Sequence, residues 1–305
     1  MTTQKYNYYR LRINSDSDPL NPREDADDTV MMICNHRRYT LGDKKWNDLF
    51  VTGRSLKETE AAMLNYFVPN WGTMVDEYEA GIEGEETRDD LIDEFIEHKF
   101  DEYFVWQFLY LYDHSGITMS CGKRNPFECR WDSGVVGIAA VLKTELVKGW
   151  GIAITDETAL QEKGNALIES TVEVYTAYLE GQVYGYEVEQ LRERRIVGGQ
   201  AWEKPLVEFP RITAFGEDLF DWEGVGEGED DDTEVPEHLE SSVEWSDADS
   251  CWGFYGSDMA KNGILGEVEG IVYRENGVVK TWVEEAGQEM GKWILLQVLA
   301  KEGTI

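Results

Sequence analysis

Basic residues are scarce in this sequence: 28 Lys and Arg stand against 61 Asp and Glu in 305 residues, a formal charge of -33. Nucleic-acid binders neutralise phosphate with Lys and Arg, so the composition argues against direct nucleic-acid binding. Docking on an anionic membrane is disfavoured for the same reason. Cysteine is scarce too. Cys34, Cys121, Cys129 and Cys251 are too few for a disulfide scaffold, so a reducing, intracellular location is expected. The longest apolar runs, Val135–Leu142 and Trp293–Ala300, are the length of core elements and far short of the ~18 residues that a spanning helix needs. The opening MTTQKYNYYRLRINSDSD has no apolar stretch, so no secretory signal is expected.

Core-forming material is plentiful. Hydrophobic residues make up 42% and include 11 Trp, which opposes global disorder despite the charge. The length suits one large domain or two small ones at about 100–200 residues each. Residues 76–102 carry 13 acids against Arg88 and Lys99, and residues 221–249 carry 13 acids and no base. Those two segments hold 24 of the 33 excess negative charges, so the acidity is local rather than spread over the surface. Segment 221–249 reads as a solvated loop. It also reads as an acidic decoy for a basic surface, with Trp222 and Trp245 as anchors among Glu229, Asp230, Asp231 and Asp232.

Alternation predicts strands over Tyr6–Ile13, Val30–Cys34, Phe104–Tyr112, Val135–Leu142 and Val183–Val188. Helical spacing predicts helices over Ser55–Tyr66, Thr87–Tyr103 and Thr155–Glu180, the last capped by Thr155 or Asp156 and stopped at Gly181. Gly164 inside that helix reads as a weak spot. Asn276-Gly277 predicts a hairpin between Ile271–Arg274 and Val278–Val283, and Glu284–Lys301 a broken helix. No repeat and no βαβ rhythm is visible. The expected class is α+β, a mixed or largely antiparallel sheet flanked by helices and carrying acidic insertions.

The candidate chemistry is thin. Asp113-His114-Ser115-Gly116 holds the letters of a hydrolase triad, but consecutive residues seldom place an imidazole between the other two groups. Turn chemistry explains the same residues, and Trp131-Asp132-Ser133-Gly134 repeats the pattern. Cys34, His36, Cys121 and Cys129 lack zinc-site spacing, so neither metal nor cofactor is expected. Gly224-Val225-Gly226-Glu227-Gly228 is glycine-rich but strongly acidic and without Lys, unlike a phosphate loop. His36-Arg37-Arg38-Tyr39, with Lys44 and Lys45, is the one basic cluster. A phosphate site is one reading of it; pairing with acidic segment 76–102 or with a neighbouring subunit is the expected one.

Several motifs together resemble a family of phage and mobile-element proteins. They are Asn21-Pro22-Arg23-Glu24, the run His36 to Asp43, Leu109 to Thr118, Pro126-Phe127 with Cys129, Trp131 to Gly134, and Asp249-Ser250-Cys251-Trp252-Gly253-Phe254-Tyr255-Gly256. The resemblance implies a core of residues 1–54, 103–190 and 249–256. Around it lie an acidic helical insertion at 55–102, an acidic insertion or loop at 191–248, and a hairpin and tail at 257–305. In this picture Asp113–Gly116, Trp131–Gly134 and Trp252 hold the scaffold. In size and style the chain is similar to the Gabija anti-defence proteins of phages, a likeness of type that rests on no shared motif. What it implies is a non-enzymatic inhibitor, homo-oligomeric, that binds a bacterial nuclease–helicase defence complex in the host cytoplasm and blocks its access to DNA. A DNA-mimic anti-restriction or anti-CRISPR protein, and a small hydrolase using Asp113, His114 and Ser115, are the alternatives.

Overall fold

A computed structural model of the chain describes residues 6–24, 29–50, 55–82, 87–197, 200–205, 240–272 and 276–299. Strand β1 (Tyr6–Ser15) is followed by β2 (Val30–Cys34), helices α1 (Lys44–Phe50), α2 (Leu56–Phe67), α3 (Trp71–Ala80) and α4 (Arg88–Tyr103), and strands β3 (Phe104–Asp113), β4 (Ile117–Gly122) and β5 (Ser133–Leu142). Helices α5 (Lys143–Trp150) and α6 (Glu157–Leu179) come next, then β6 (Val183–Val197), β7 (Gln200–Pro205), β8 (Glu240–Tyr255), α7 (Ile264–Ile271), α8 (Asn276–Gln288) and β9 (Ile294–Leu299). The class is α+β. The chain divides into two compact units, Asp18–Val183 and Met1–Ser17 with Tyr184–Ile305.

In the Asp18–Val183 unit an antiparallel sheet runs in the order β2-β5-β3-β4. Both of its faces are covered, which is why β2 is buried along its whole length and β3 reads as an unbroken apolar run. Met32, Val105, Leu109, Ala139 and Val141 face Leu160, Ile168, Val172 and Tyr175 of α6. Ile33, Phe104, Trp106 and Ile138 face the opposite layer, where Met63, Leu64, Trp71 and Phe100 come from α2, α3 and α4. Segment 55–102, read from the sequence as an acidic insertion, thus supplies one apolar wall of this core, and most of its described acids lie on the outer helix faces, Glu60 being buried.

Helix α6 begins at Asp156, whose carboxylate accepts from Ala159 N at 3.1 Å, and ends before Gly181 with φ 70°. Gly164 has a packing reason. A Cβ there would lie 2.6 Å from Val105 Cβ, so only glycine lets α6 approach β3 this closely. Gly164→Ala should therefore cost about 1–3 kcal/mol through overpacking, despite a helix-propensity gain of about 1 kcal/mol. Urea unfolding checks this: Val105→Ala in the same chain should return part of the loss, and a stabilised Gly164→Ala chain would refute the close approach.

The second unit is built on a sheet ordered β7-β6-β1-β9, with β8 also paired to β6. Leu11, Ile13, Tyr186 and Val188 point to a core completed by α7 and α8. Alternate residues point the other way. Arg10 stands opposite Glu189 and Arg12 opposite Glu187, each pair joined as an ion pair. The hairpin expected at Asn276-Gly277 does not form; α8 starts there instead. Val279, Trp282, Val283 and Ala286 recur at helical spacing and are all buried, and burying that stripe outweighs the local turn preference. The broken helix expected over Glu284–Lys301 is helical only to Gln288, and Ile294–Leu299 pairs with β1 as a strand.

Candidate functional site

The motifs that stand far apart in the sequence meet in two places within the Asp18–Val183 unit. One is structural. Arg23 donates from Nε to Asp43 Oδ1 at 2.6 Å and from Nη2 to Asp43 Oδ2 at 2.8 Å, with the two side chains 2% and 3% exposed. Asp43 Oδ2 also accepts from Met32 N at 2.8 Å, and Arg23 Nη2 donates to Val30 O at 2.8 Å. This pair thereby clamps the first half of β2, at Val30 and at Met32. Gly42 beside it has φ 68°, and its N donates to Tyr175 Oη at 3.1 Å. A Cβ at Gly42 would sit 2.4 Å from Met32 O.

The other meeting point is a cleft of about 240 Å³, lined by His36–Arg38, Trp131–Val136, Leu111 and Asp113. Asp113, the last residue of β3, holds an ion pair with Arg38 and accepts from Tyr39 Oη at 3.1 Å. Its backbone N donates to Asp132 O at 2.8 Å. Residues 114–116 close the β3–β4 hairpin, with Ser115 at φ 61° and His114 N donating to Gly116 O at 3.0 Å. Across the cleft, Asp132 accepts from Cys129 Sγ at 3.3 Å and lies 3.5 Å from His114 Nδ1. Ser133 Oγ donates to Cys129 O at 2.6 Å and accepts from Asn125 Nδ2 at 2.9 Å. The rings of Tyr112 and Phe127 stack at 5.4 Å. His36 stacks on Tyr39 at 5.1 Å, and burial, with Arg38 beside it, holds its imidazole below the ordinary range.

The carboxylate partner of His114 is Asp132 and not Asp113, which is committed to Arg38 and Tyr39. Ser115 stands exposed at the hairpin tip, and among the described residues no hydrogen bond joins it to His114. Among the described residues the basic cluster does not pair with the acidic helices. Arg38 goes to Asp113 and Lys44 to Asp48, while the acids of 76–102 take Lys57, Arg88 and Lys99. Arg37, exposed on the cleft wall, makes no hydrogen bond or ion pair among the described residues.

Trp131 is the residue with no packing account. It is 97% exposed, although the turn that carries it is braced by the Cys129, Asp132 and Ser133 bonds. The sequence places Trp131 in a turn, but its exposure has no sequence signal. Of the expected partner anchors, Trp245 lies over Arg10, with the guanidinium 4.7 Å from its ring, and Trp293 holds the same guanidinium at 4.2 Å. Trp222, Glu229, Asp230, Asp231 and Asp232, and the glycines of 224–228, lie outside the described residues. Trp252 packs on β6, where a Cβ at Gly185 would come within 2.2 Å of its ring.

Burial pushes the Cys121 thiol up to about 11, and it raises Cys34 further still. Among the described residues no group of three or more metal-ligating side chains gathers, and no helix is long and apolar enough to cross a membrane. Compared with family models, with curated proteins and with solved structures, the chain matches none of them.

Proposed function

We propose that this chain is a stoichiometric protein-binding inhibitor of the phage anti-defence type, acting on a bacterial nuclease–helicase complex in the host cytoplasm by occupying the surface that admits DNA. The observation that carries the protein-binding reading is Trp131, an indole 97% exposed on a braced turn. Indoles held rigidly in water are the anchors from which protein interfaces draw most of their energy, because covering one desolvates a large apolar area at little entropic cost. The charge of -33 supports a basic partner surface and steered association. The target, and assembly into a homo-oligomer, rest on the resemblance in sequence style.

The test is capture with tagged full-length chain from lysates of cells that carry several defence systems, followed by mass spectrometry. A single stoichiometric nuclease or helicase should be recovered, and Trp131→Ala should weaken its binding by about thirtyfold or more, the effect of truncating an anchor worth about 2 kcal/mol. Equal recovery by both chains, or no partner at low and moderate salt, would overturn the reading.

A further inference from the structure

Strand β5 outruns its neighbour β2. Pairing between them ends where Cys34 faces Gly137, and Asn35 N donates to Val136 O at 2.8 Å just beyond. On its other side β5 continues, with Val135, Gly134 and Ser133 opposite Tyr110, Leu111 and Tyr112 of β3. Among the described residues, no strand pairs with Ser133–Val135 on the β2 side. The cleft opens beside this stretch, lined by His36–Arg38 and also by Leu111 and Asp113 of β3. The cleft does not stop at Val135: this residue and Val136 also line a second hollow of about 130 Å³ that reaches Ser55, Leu56 and Thr59. Two adjoining hollows thus flank an extended backbone that is hydrogen-bonded to a strand on one side only, which is the template that strand addition uses.

The side chains around it specify an occupant. Arg38 is neutralised by Asp113, and Asp132, the other carboxylate of the lining, faces His114 and Cys129, whereas Arg37 on the same wall has no acidic partner among the described residues. Val135 is 51% exposed and Trp131 97%, giving apolar contacts on either side of Gly134. We infer that this cleft binds an extended peptide segment of a partner protein as a short added strand beside Ser133–Val135. A carboxylate of the segment pairs with Arg37, and an apolar side chain of the segment covers Trp131. This rests on the protein-binding reading and specifies its mode.

Gly134 permits a test that leaves the fold in place. Its backbone is outside the left-handed region, and an added Cβ would meet nothing within 4 Å, so Gly134→Leu introduces a bulky side chain at the cleft with neither backbone strain nor a Cβ clash. Displayed random linear peptides are panned on the full chain, and those selected are titrated into wild type, Gly134→Leu and Arg37→Glu. All three chains should melt at the same temperature. Selected peptides should carry an acidic residue next to an apolar one, and each substitution should weaken them about tenfold or more. Failure to select any binder, or equal binding by Gly134→Leu, overturns the inference. A partner captured equally by wild type and Gly134→Leu but lost from Trp131→Ala overturns strand addition while protein binding through Trp131 stands. Equal capture by all three overturns both.

Discussion

Replacing Asp43 by Ala should destabilise the Asp18–Val183 unit by about 3–5 kcal/mol, a large fraction of the about 5–15 kcal/mol that holds a typical domain together. The loss comes from what is left behind. Arg23 is 2% exposed and would keep a full charge without its carboxylate, and Met32 N would lose its acceptor. Deletion of one partner of a buried pair leaves an uncompensated charge, whereas deletion of both need not. Arg23→Met with Asp43→Leu should therefore recover much of the stability lost in Asp43→Ala, although Met32 N still lacks a partner. Urea unfolding followed by tryptophan fluorescence measures all of these chains. A loss below about 1 kcal/mol for Asp43→Ala, the size expected for a surface pair, would show that the clamp on β2 contributes little.

Legibility of this clamp in the sequence was partial, and the reason is general. Asn21–Glu24 and His36–Asp43 stand out as motifs, but nothing in their spacing says that Arg23 and Asp43 meet, because that contact depends on where β2 is laid in the sheet. Elements whose burial follows one period were legible: β3 and β5 as unbroken apolar runs, and α6 from Leu160, Ile168, Val172 and Tyr175 on one face. Short helices such as α1, α5 and α7 were not, since seven or eight residues carry too few turns for a period to show. At Asn276 a strong local signal lost to tertiary burial of Trp282. The cleft followed the same pattern. His36–Tyr39, Asp113–Gly116 and Trp131–Gly134 were each visible as polar turns, while their convergence comes from the antiparallel order β2-β5-β3, which brings three loop ends to one end of the sheet. Glu60, one acid among 61, carried no mark at all.

Stability of the same unit should fall as pH rises from about 5 to 8, and Glu60 should be the main cause. Its side chain lies on α2, buried at 6% exposure, with Met63 and Leu64 of the same helix in the core. Burial, then Glu97 and Asp101 of α4, push its carboxyl up to about 7, with Asp93 adding a little and Lys57 opposing. In the unfolded chain the same group titrates near 4.3. Between those values the folded state holds a proton that the unfolded state has released, so folding is weakened with every step up in pH. The penalty is absent well below the unfolded value, grows through the interval and levels off above about 7, where it approaches about 4 kcal/mol. Glu60→Gln keeps the shape and removes the charge. It should raise stability by only about 1 kcal/mol at pH 5 but by about 4 kcal/mol at pH 8, and flatten the slope between them. Urea midpoints of the two chains measured across that range decide the matter. A wild-type curve that is flat from pH 5 to 8, or one that keeps its slope in Glu60→Gln, would mean that the carboxyl reaches water in solution and stays ionised throughout.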